Sequence, residues 1–325
     1  MNILIPAAVL GVLALLFGVG LAVASKKLAV KVDERIPLVR GCLSGANCGG
    51  CGYPGCDAYA AAIVNDGAAT NLCPSGGNEA TRKISEIMGI EVPHNDGVKF
   101  VANIICRGST DHCGIRFDYE GEKTCRAVAM TSEGDKACRY ACVGYGDCVA
   151  VCPFGAIQLD ENRIAFVDES KCVGCGLCMK ACPKNVIRLE PHYKLRVKCR
   201  ALEKGKTVRD ACKAGCIGCG LCAKKCKFGA ITMENNLPVI NREKCVGCLE
   251  CVRHCPTGAM WGELDKQKKA VIHQENCIGC TLCARECKFD AISGELKGVH
   301  KVDPLKCTGC GQCVVKCRKK AIELV

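Results

Sequence analysis

The chain has 325 residues, of which 34 are Cys and 36 Gly, with one Trp and aromatics at 4%. So little large aromatic material excludes an ordinary enzyme held together by one hydrophobic core, and thiol ligation is the alternative source of stability. A formal net charge of +12 points to an anionic partner such as nucleic acid, unless the chain itself carries anionic groups.

The first predicted element is apolar. Residues 3–25 carry no charge, and a run of that length at helical rise crosses about 30 Å of hydrocarbon, which predicts a transmembrane helix. A cleaved signal peptide is the competing reading, because Ala22-Val23-Ala24 resembles a small-residue cleavage site. The lack of Lys or Arg before the run, and its length, favour an anchor spanning residues 1–25. Lys26, Lys27 and Lys31 follow, so the rest of the chain is expected on the cytoplasmic side, where thiols stay reduced. Ala14, Gly18 and Ala22 fall on one helix face, which suits packing against other membrane helices or reflects ordinary membrane composition.

Residues 26–90 form the next expected domain. It carries Cys48, Cys51, Cys56 and Cys73 in GANCGGCGYPGC and NLCPSGG. An Ala-rich helix is expected over 58–64, and Asn78 is expected to cap a helix running to Met88. Residues 91–137 read as a linker and Cys-containing region.

Beyond that the chain repeats. Cys-x2-Cys-x2-Cys-x3-Cys occurs at Cys172/Cys175/Cys178/Cys182, Cys216/Cys219/Cys222/Cys226, Cys245/Cys248/Cys251/Cys255, Cys277/Cys280/Cys283/Cys287 and Cys307/Cys310/Cys313/Cys317. An altered copy at Cys138, Cys142, Cys148 and Cys152 precedes them. Between clusters of Cys the residues alternate around turns, as at 156–167 and 230–240, and the chain ends on one more such run at 321–325, so short hairpins are expected. One repeat is too small to bury a core. The copies therefore pair as 138–198, 199–270 and 271–325.

Four thiolates within eleven residues, three of them at x2 spacing, suit a 4Fe-4S cubane whose fourth ligand comes from the partner motif, the two-cluster ferredoxin arrangement. Zinc prefers two Cys-x2-Cys pairs separated by a longer loop. Exchange within each pair predicts Cys138, Cys142, Cys148 with Cys182, and Cys172, Cys175, Cys178 with Cys152. It next predicts Cys216, Cys219, Cys222 with Cys255, and Cys245, Cys248, Cys251 with Cys226. The last pair gives Cys277, Cys280, Cys283 with Cys317, and Cys307, Cys310, Cys313 with Cys287. With Cys48, Cys51, Cys56 and Cys73, seven clusters result. Each oxidised cubane with four thiolates carries about −2, so seven bring +12 to about −2, and the basic residues offset cluster charge in place of nucleic acid.

Cys42, Cys106, Cys113, Cys125, Cys199 and Cys212 remain. The spacing 125/138/142/148/152 matches 199/212/216/222/226, with Tyr145 in the place of Cys219; Cys138 is the expected substitute ligand and Cys212 its unused counterpart. An eighth cluster on Cys106, Cys113, Cys125 and one further thiol stands against small buried thiols packing as hydrophobes. Cys42 is expected to be a non-ligand. Pro follows Cys152, Cys182 and Cys255, whereas Lys227, Lys288 and Arg318 follow the equivalent Cys elsewhere; a cation there should raise the local potential, unless it is plain surface charge. No Walker-type or dinucleotide glycine pattern is present, so no NAD or flavin site is expected in this chain.

The apolar N-terminus, GANCGGCGYPGCDAYA, NLCPSGG and KACRYACVGYGDCVAVCPFGAI closely resemble the RnfB family, the B component of the Rnf ion-translocating ferredoxin:NAD+ oxidoreductases, in a long form with six ferredoxin-like motifs. The resemblance implies an α+β fold: an N-terminal transmembrane helix, a four-Cys 4Fe-4S module, then tandem two-cluster ferredoxin domains. It implies an electron-transfer subunit in the inner membrane, reduced by ferredoxin and passing electrons to integral-membrane and flavin-carrying Rnf subunits, coupled to Na+ or H+ transport. The first module would be the exit and the distal repeats the entry. Two other classes compete: an input wire of a different membrane complex, of hydrogenase type, and a membrane redox sensor that reduces a regulator. Neighbouring genes for flavin-binding and multi-span subunits would favour the first reading, and a neighbouring transcription factor the sensor.

Overall fold

The structure, a computed structural model, describes residues 4–27, 33–93, 99–193 and 195–325, with side chains given from position 9 of the first stretch except at 26. Met1, Asn2 and Lys31 of the anchor prediction lie outside the described residues. The chain divides into two units, Met1–Asn95 and Asp96–Val325.

The first unit opens with a 24-residue helix, Leu4–Lys27. Its apolar residues face outward all round: Leu10, Phe17 and Leu21 are 67, 69 and 70% exposed. Counted over described side chains alone, no helix is long and apolar enough to cross a membrane. Three further helices, Arg35–Cys42, Cys56–Asp66 and Gly77–Met88, share a core of Val39, Tyr59, Ile63 and Ile84. The Ala-rich segment is helical as expected. Asn78, however, lies inside the first turn of its helix, and Gly76 takes the capping position. The backbone is tight there, since a Cβ on Gly76 would stand 2.6 Å from the Ala80 Cβ.

The second unit is built from six two-stranded antiparallel sheets. Each Cys-motif pair has an inner hairpin: Ile157–Leu159 with Ala165–Val167, Ile231–Glu234 with Leu237–Ile240, and Ile292–Ser293 with Lys301–Val302. Each also has an outer sheet joining its first and last strands. These are Phe100–Ile104 with Ile187–Pro191, Leu195–Val197 with Met260–Gly262, and Ala270–Ile272 with Ile322–Leu324. The outer sheets correct two boundaries. Residues 100–104 are a strand of the first pair, not a linker, and the second pair begins at Leu195, before Cys199. Separate small cores follow, one per pair.

The Cys loops are shaped by close backbone approach. A Cβ on Gly174 would meet the Phe100 carbonyl at 2.6 Å, and one on Gly309 the Lys268 carbonyl at 2.0 Å. These two loops press against the strand Phe100–Ile104 and the segment at Lys268, and only Gly fits at both positions.

Candidate metal centres

In the first unit Cys51, Cys56 and Cys73 join the core around Tyr59. Asn47 Oδ1 accepts the Cys56 N–H at 2.8 Å, which fixes the start of the Cys56 helix against the loop that carries Cys48. The Tyr59 hydroxyl donates to the Ala69 carbonyl at 2.6 Å and accepts the Leu72 N–H at 3.1 Å, holding the loop that presents Cys73. Burial first, and then the charges of Cys73 and Cys51, push the Tyr59 phenol up to about 12, so it stays a neutral strut. Cys42 Sγ bonds the Leu38 carbonyl one turn back on its own helix, at 3.5 Å.

In the second unit the exchanged sets gather around cavities. Cys152, Cys172, Cys175 and Cys178 line one of about 20 Å3. Cys287, Cys307, Cys310 and Cys313 line another of about 20 Å3. A third, of about 140 Å3, holds Cys277, Cys280, Cys283 and Cys317 together with His300. For the middle pair, Cys248, Cys245, Cys222 and Cys226 adjoin Cys251, and Cys255 and Cys219 adjoin Cys222, with Cys216 beside Cys199, Cys222 and Cys255. In these three cavities the fourth thiol comes from the partner motif.

The thiols are set up as ligands. Backbone N–H groups point at Cys172, Cys226, Cys255, Cys287, Cys307 and Cys317 from Ala102, Ala230, Met260, Ala291, Ala270 and Ala321 at 3.3–3.4 Å. Such bonds favour thiolate. Burial acts the other way, with like-charged neighbours adding to it: Cys178 and Cys313 are pushed up to about 11, Cys148 and Cys251 to about 12. Metal-free, these thiols keep their protons at pH 7, and iron must displace them on binding. Among the described residues no three His, Cys, Asp or Glu side chains converge tightly enough for a single metal ion. The thiols stand apart around a space, the arrangement a four-iron cluster needs with one thiolate on each iron.

Two expected placements change. Cys138 does not join Cys142, Cys148 and Cys182. Cys125 does: Cys142, Cys125 and Cys182 are the first thiols beside Cys148, with Cys178 of the neighbouring set next. The backbone amides of Asp147, Tyr145 and Gly146 are directed at the Cys125 thiol, so it occupies the loop that lost a ligand at Tyr145. The Tyr145 side chain turns away, bonding Asp135 at 3.0 Å with the Arg163 guanidinium 4.3 Å over its ring. Cys125 can reach because it starts the short helix Cys125–Met130, capped by Thr124 and by Asp147, which accepts the Cys125 N–H at 2.7 Å. Cys125 packs with Val128 and Val143 and not in the group of Cys113, Cys212, Cys106 and Cys138, where an eighth cluster was expected to include it. Cys138 lies instead with Cys113, Cys106 and Cys199. The duplicated spacing 125/138 and 199/212 was the available signal, but it offers two candidates for one vacancy.

Two of the cations after the last motif Cys contact each other's segment. Lys288 Nζ donates to the Lys227 carbonyl at 2.9 Å and Lys227 Nζ reciprocally to Lys288. Each ammonium covers the other segment's phenylalanine, at 4.7 Å for Lys227 over Phe289 and 4.6 Å for Lys288 over Phe228. They fasten the second pair to the third.

This architecture defines an iron–sulfur protein of tandem two-cluster ferredoxin domains, and comparison with known proteins agrees. The "4Fe-4S dicluster domain" families match residues 141–186, 215–259 and 270–324, and a family described as "Putative Fe-S cluster" matches residues 43–75. The B component of the Na(+)-translocating ferredoxin:NAD(+) oxidoreductase complex of Acetobacterium woodii is 48% identical over 74% of this chain and 72% of its own length. The B component of the ion-translocating oxidoreductase complex of Methanosarcina acetivorans is 41% identical over 73% and 89%. The counterpart from the proton-translocating ferredoxin:NAD(+) oxidoreductase complex of Clostridium ljungdahlii is 42% identical over 72% and 82%. The chain belongs to the RnfB family, the B components of the Rnf ion-translocating ferredoxin:NAD+ oxidoreductase complexes.

Proposed function

We propose that this chain is the electron-input subunit of its complex, taking electrons from reduced ferredoxin and passing them toward membrane flavin and Fe-S subunits, and so to NAD+, coupled to transport of Na+ or H+. The observation that carries this is the meeting of three thiols of one motif with one of its partner motif in three separate cavities. Seven 4Fe-4S clusters would be held by Cys48, Cys51, Cys56 and Cys73 and by the six exchanged sets, with Cys125 taking the place of Cys138 in the first. Bound there, clusters supply one-electron carriage without bond making. The chain's own part is to aim amides at the thiolates, exclude water with the small cores and offset anionic charge with Lys and Arg. The distal repeats are the entry for electrons, and the first module, next in sequence to the anchor, is the exit.

The helix Leu4–Lys27 is the membrane anchor, single-pass with the remainder on the cytoplasmic side. It rises about 36 Å, more than the hydrocarbon thickness, and its outward apolar surface on all sides suits lipid. Expression without residues 1–27 should move the chain from the membrane fraction to the soluble one.

The function is tested by iron, acid-labile sulfide and zinc per full-length chain purified without oxygen. At least about 28 irons are expected, four for each of seven clusters. Little iron with stoichiometric zinc would sink the electron-transfer reading.

A further inference from the structure

Five of the six Cys outside the seven ligand sets come together at one place, between the first and second motif pairs. Cys106, Cys138, Cys199 and Cys212 line a cavity of about 20 Å3. That matches the two cavities of about 20 Å3 lined by two of the complete ligand sets. Cys113, fully buried, packs behind it with Cys212. The four lining thiols come from far apart in sequence: two from the segment that wraps the first pair and two from the approach to the second.

The surroundings resemble those of the regular sites. Gly108 and Cys142 both donate their N–H to Cys106 Sγ, at 3.2 and 3.4 Å, and Cys138 donates its own to Cys113 Sγ at 3.2 Å. Lys136 supplies an independent sign of negative charge. It is 2% exposed and its ammonium bonds only the carbonyls of Gly108 and Arg163, at 2.8 and 2.7 Å. No carboxylate among the described residues pairs with it. A buried cation without a counter-ion is costly; an anionic cluster beside Cys106 supplies one. Lys198 and Arg200 also line the cavity.

We propose that Cys106, Cys138, Cys199 and Cys212 hold an eighth 4Fe-4S cluster that relays electrons between the first and second motif pairs. This rests on the electron-transfer reading of the chain. Cys142, a ligand of the first pair, donates its amide to Cys106, and Cys199 adjoins both Cys138 and Cys216, a ligand of the second. The site therefore touches both neighbours. In the step, the cluster of one pair is oxidised by one electron, the bridging cluster is reduced by one and then returned to its oxidised state by the other pair; no proton or bond is exchanged.

The test uses the full chain, purified without oxygen, and compares it with Cys106→Ala/Cys199→Ala. Native mass spectrometry and iron analysis of the parent should give eight clusters and about 32 irons per chain, and the double variant about 28, with one component missing from the reduced EPR spectrum. Cys42→Ala, in the other unit, should keep the full count. A parent with seven clusters overturns the proposal and leaves the electron-transfer reading intact, as does a variant whose cluster count equals that of an eight-cluster parent. If the variant loses iron generally, the single change Cys212→Ala with the parent mass decides: eight clusters in the parent and seven in that variant support the site, and any other pair of counts overturns it. A parent that carries zinc in place of iron fails the underlying function instead.

Discussion

Cys125→Ala should remove one cluster of the first motif pair, and Cys138→Ala should leave that cluster in place. The substitution at 125 takes away a thiol toward which three loop amides point, yet it spares the bonds that start the helix, because Thr124 Oγ1 and Asp147 act on backbone N–H groups. The fold around the site therefore survives the change. Loss of a whole cluster lowers the count by about four irons per chain, and loss of one corner iron by about one. The missing EPR component should coincide with that lost in Cys142→Ala, and Cys125→Ala/Cys142→Ala should be no worse than either single change.

Cys125→Ala/Tyr145→Cys should recover the cluster, since Cys219 holds the corresponding place in the duplicated segment. The added change has a cost that the structure sets. It removes the hydrogen bond to Asp135 at 3.0 Å and the contact with Arg163 at 4.3 Å, together about 2–4 kcal/mol from a bond to a charged group and a cation–π contact. Asp135 is 1% exposed and keeps its Arg163 partner at 2.7 Å, which limits the damage. Rescue should thus restore iron at lower stability. The reasoning is refuted if Cys138→Ala and Cys142→Ala lose the same spectral component while Cys125→Ala retains it.

Lys288→Ala should lower the potential of the cluster held through Cys226, across the interface, more than that of the cluster held through Cys287; an exposed charge effect of about 0.5–1 kcal/mol corresponds to about 20–40 mV, read by redox titration. Hydrogen exchange should quicken at both 225–230 and 286–291 in either Lys227→Ala or Lys288→Ala, because the bonds are reciprocal. His300 is 1% exposed, lines the cavity of Cys277, Cys280, Cys283 and Cys317, and has Nε2 without a protein partner; His300→Phe should leave iron unchanged and lower that cluster's potential by about 40 mV, the equivalent of one hydrogen bond of about 1 kcal/mol. Burial pushes the Glu169 carboxyl up, but bonds from Arg196 and His192 outweigh it and hold it below its ordinary 4.5. A depressed folded pKa adds stability that is present above the unfolded value and lost as pH falls through the folded one. Glu169→Gln should therefore cost about 2 kcal/mol at neutral pH and progressively less below 4.5, measured by denaturant unfolding of the iron-loaded chain.

The thiols that gather in the three cavities of the first and third pairs were legible because their information is local: three thiols at x2 spacing on a turn, with the fourth a fixed step away. The exchange between motifs followed from the two-cluster ferredoxin arrangement of that spacing. What was not legible is long-range. Residues 100–104 form a strand buried at four of five positions, and such a run lacks the alternation that marks a half-exposed strand, so it read as a linker. The replacement of Tyr145 was visible, but its substitute was not, since Cys125 and Cys138 both precede the motif and only the direction of the loop amides chooses between them.

That choice has a consequence for the whole arrangement. The two duplicated segments each carry two Cys ahead of the motif. In the second, Cys219 completes the motif, and both Cys199 and Cys212 are left to face the cavity between the pairs. In the first, Tyr145 withdraws one ligand, Cys125 replaces it, and only Cys138 faces that cavity, where Cys106 from the wrapping segment makes up the number. One substitution thus accounts both for the odd spacing of the first motif and for the unequal contribution of the two copies to the junction. The same logic explains the cations. Lys136, Lys198 and Arg200 gather where thiols from different domains meet, and Lys227 and Lys288 bridge the next junction by gripping each other's backbone. At these two junctions the five cations stand where anionic sites held by separate cores would otherwise repel one another.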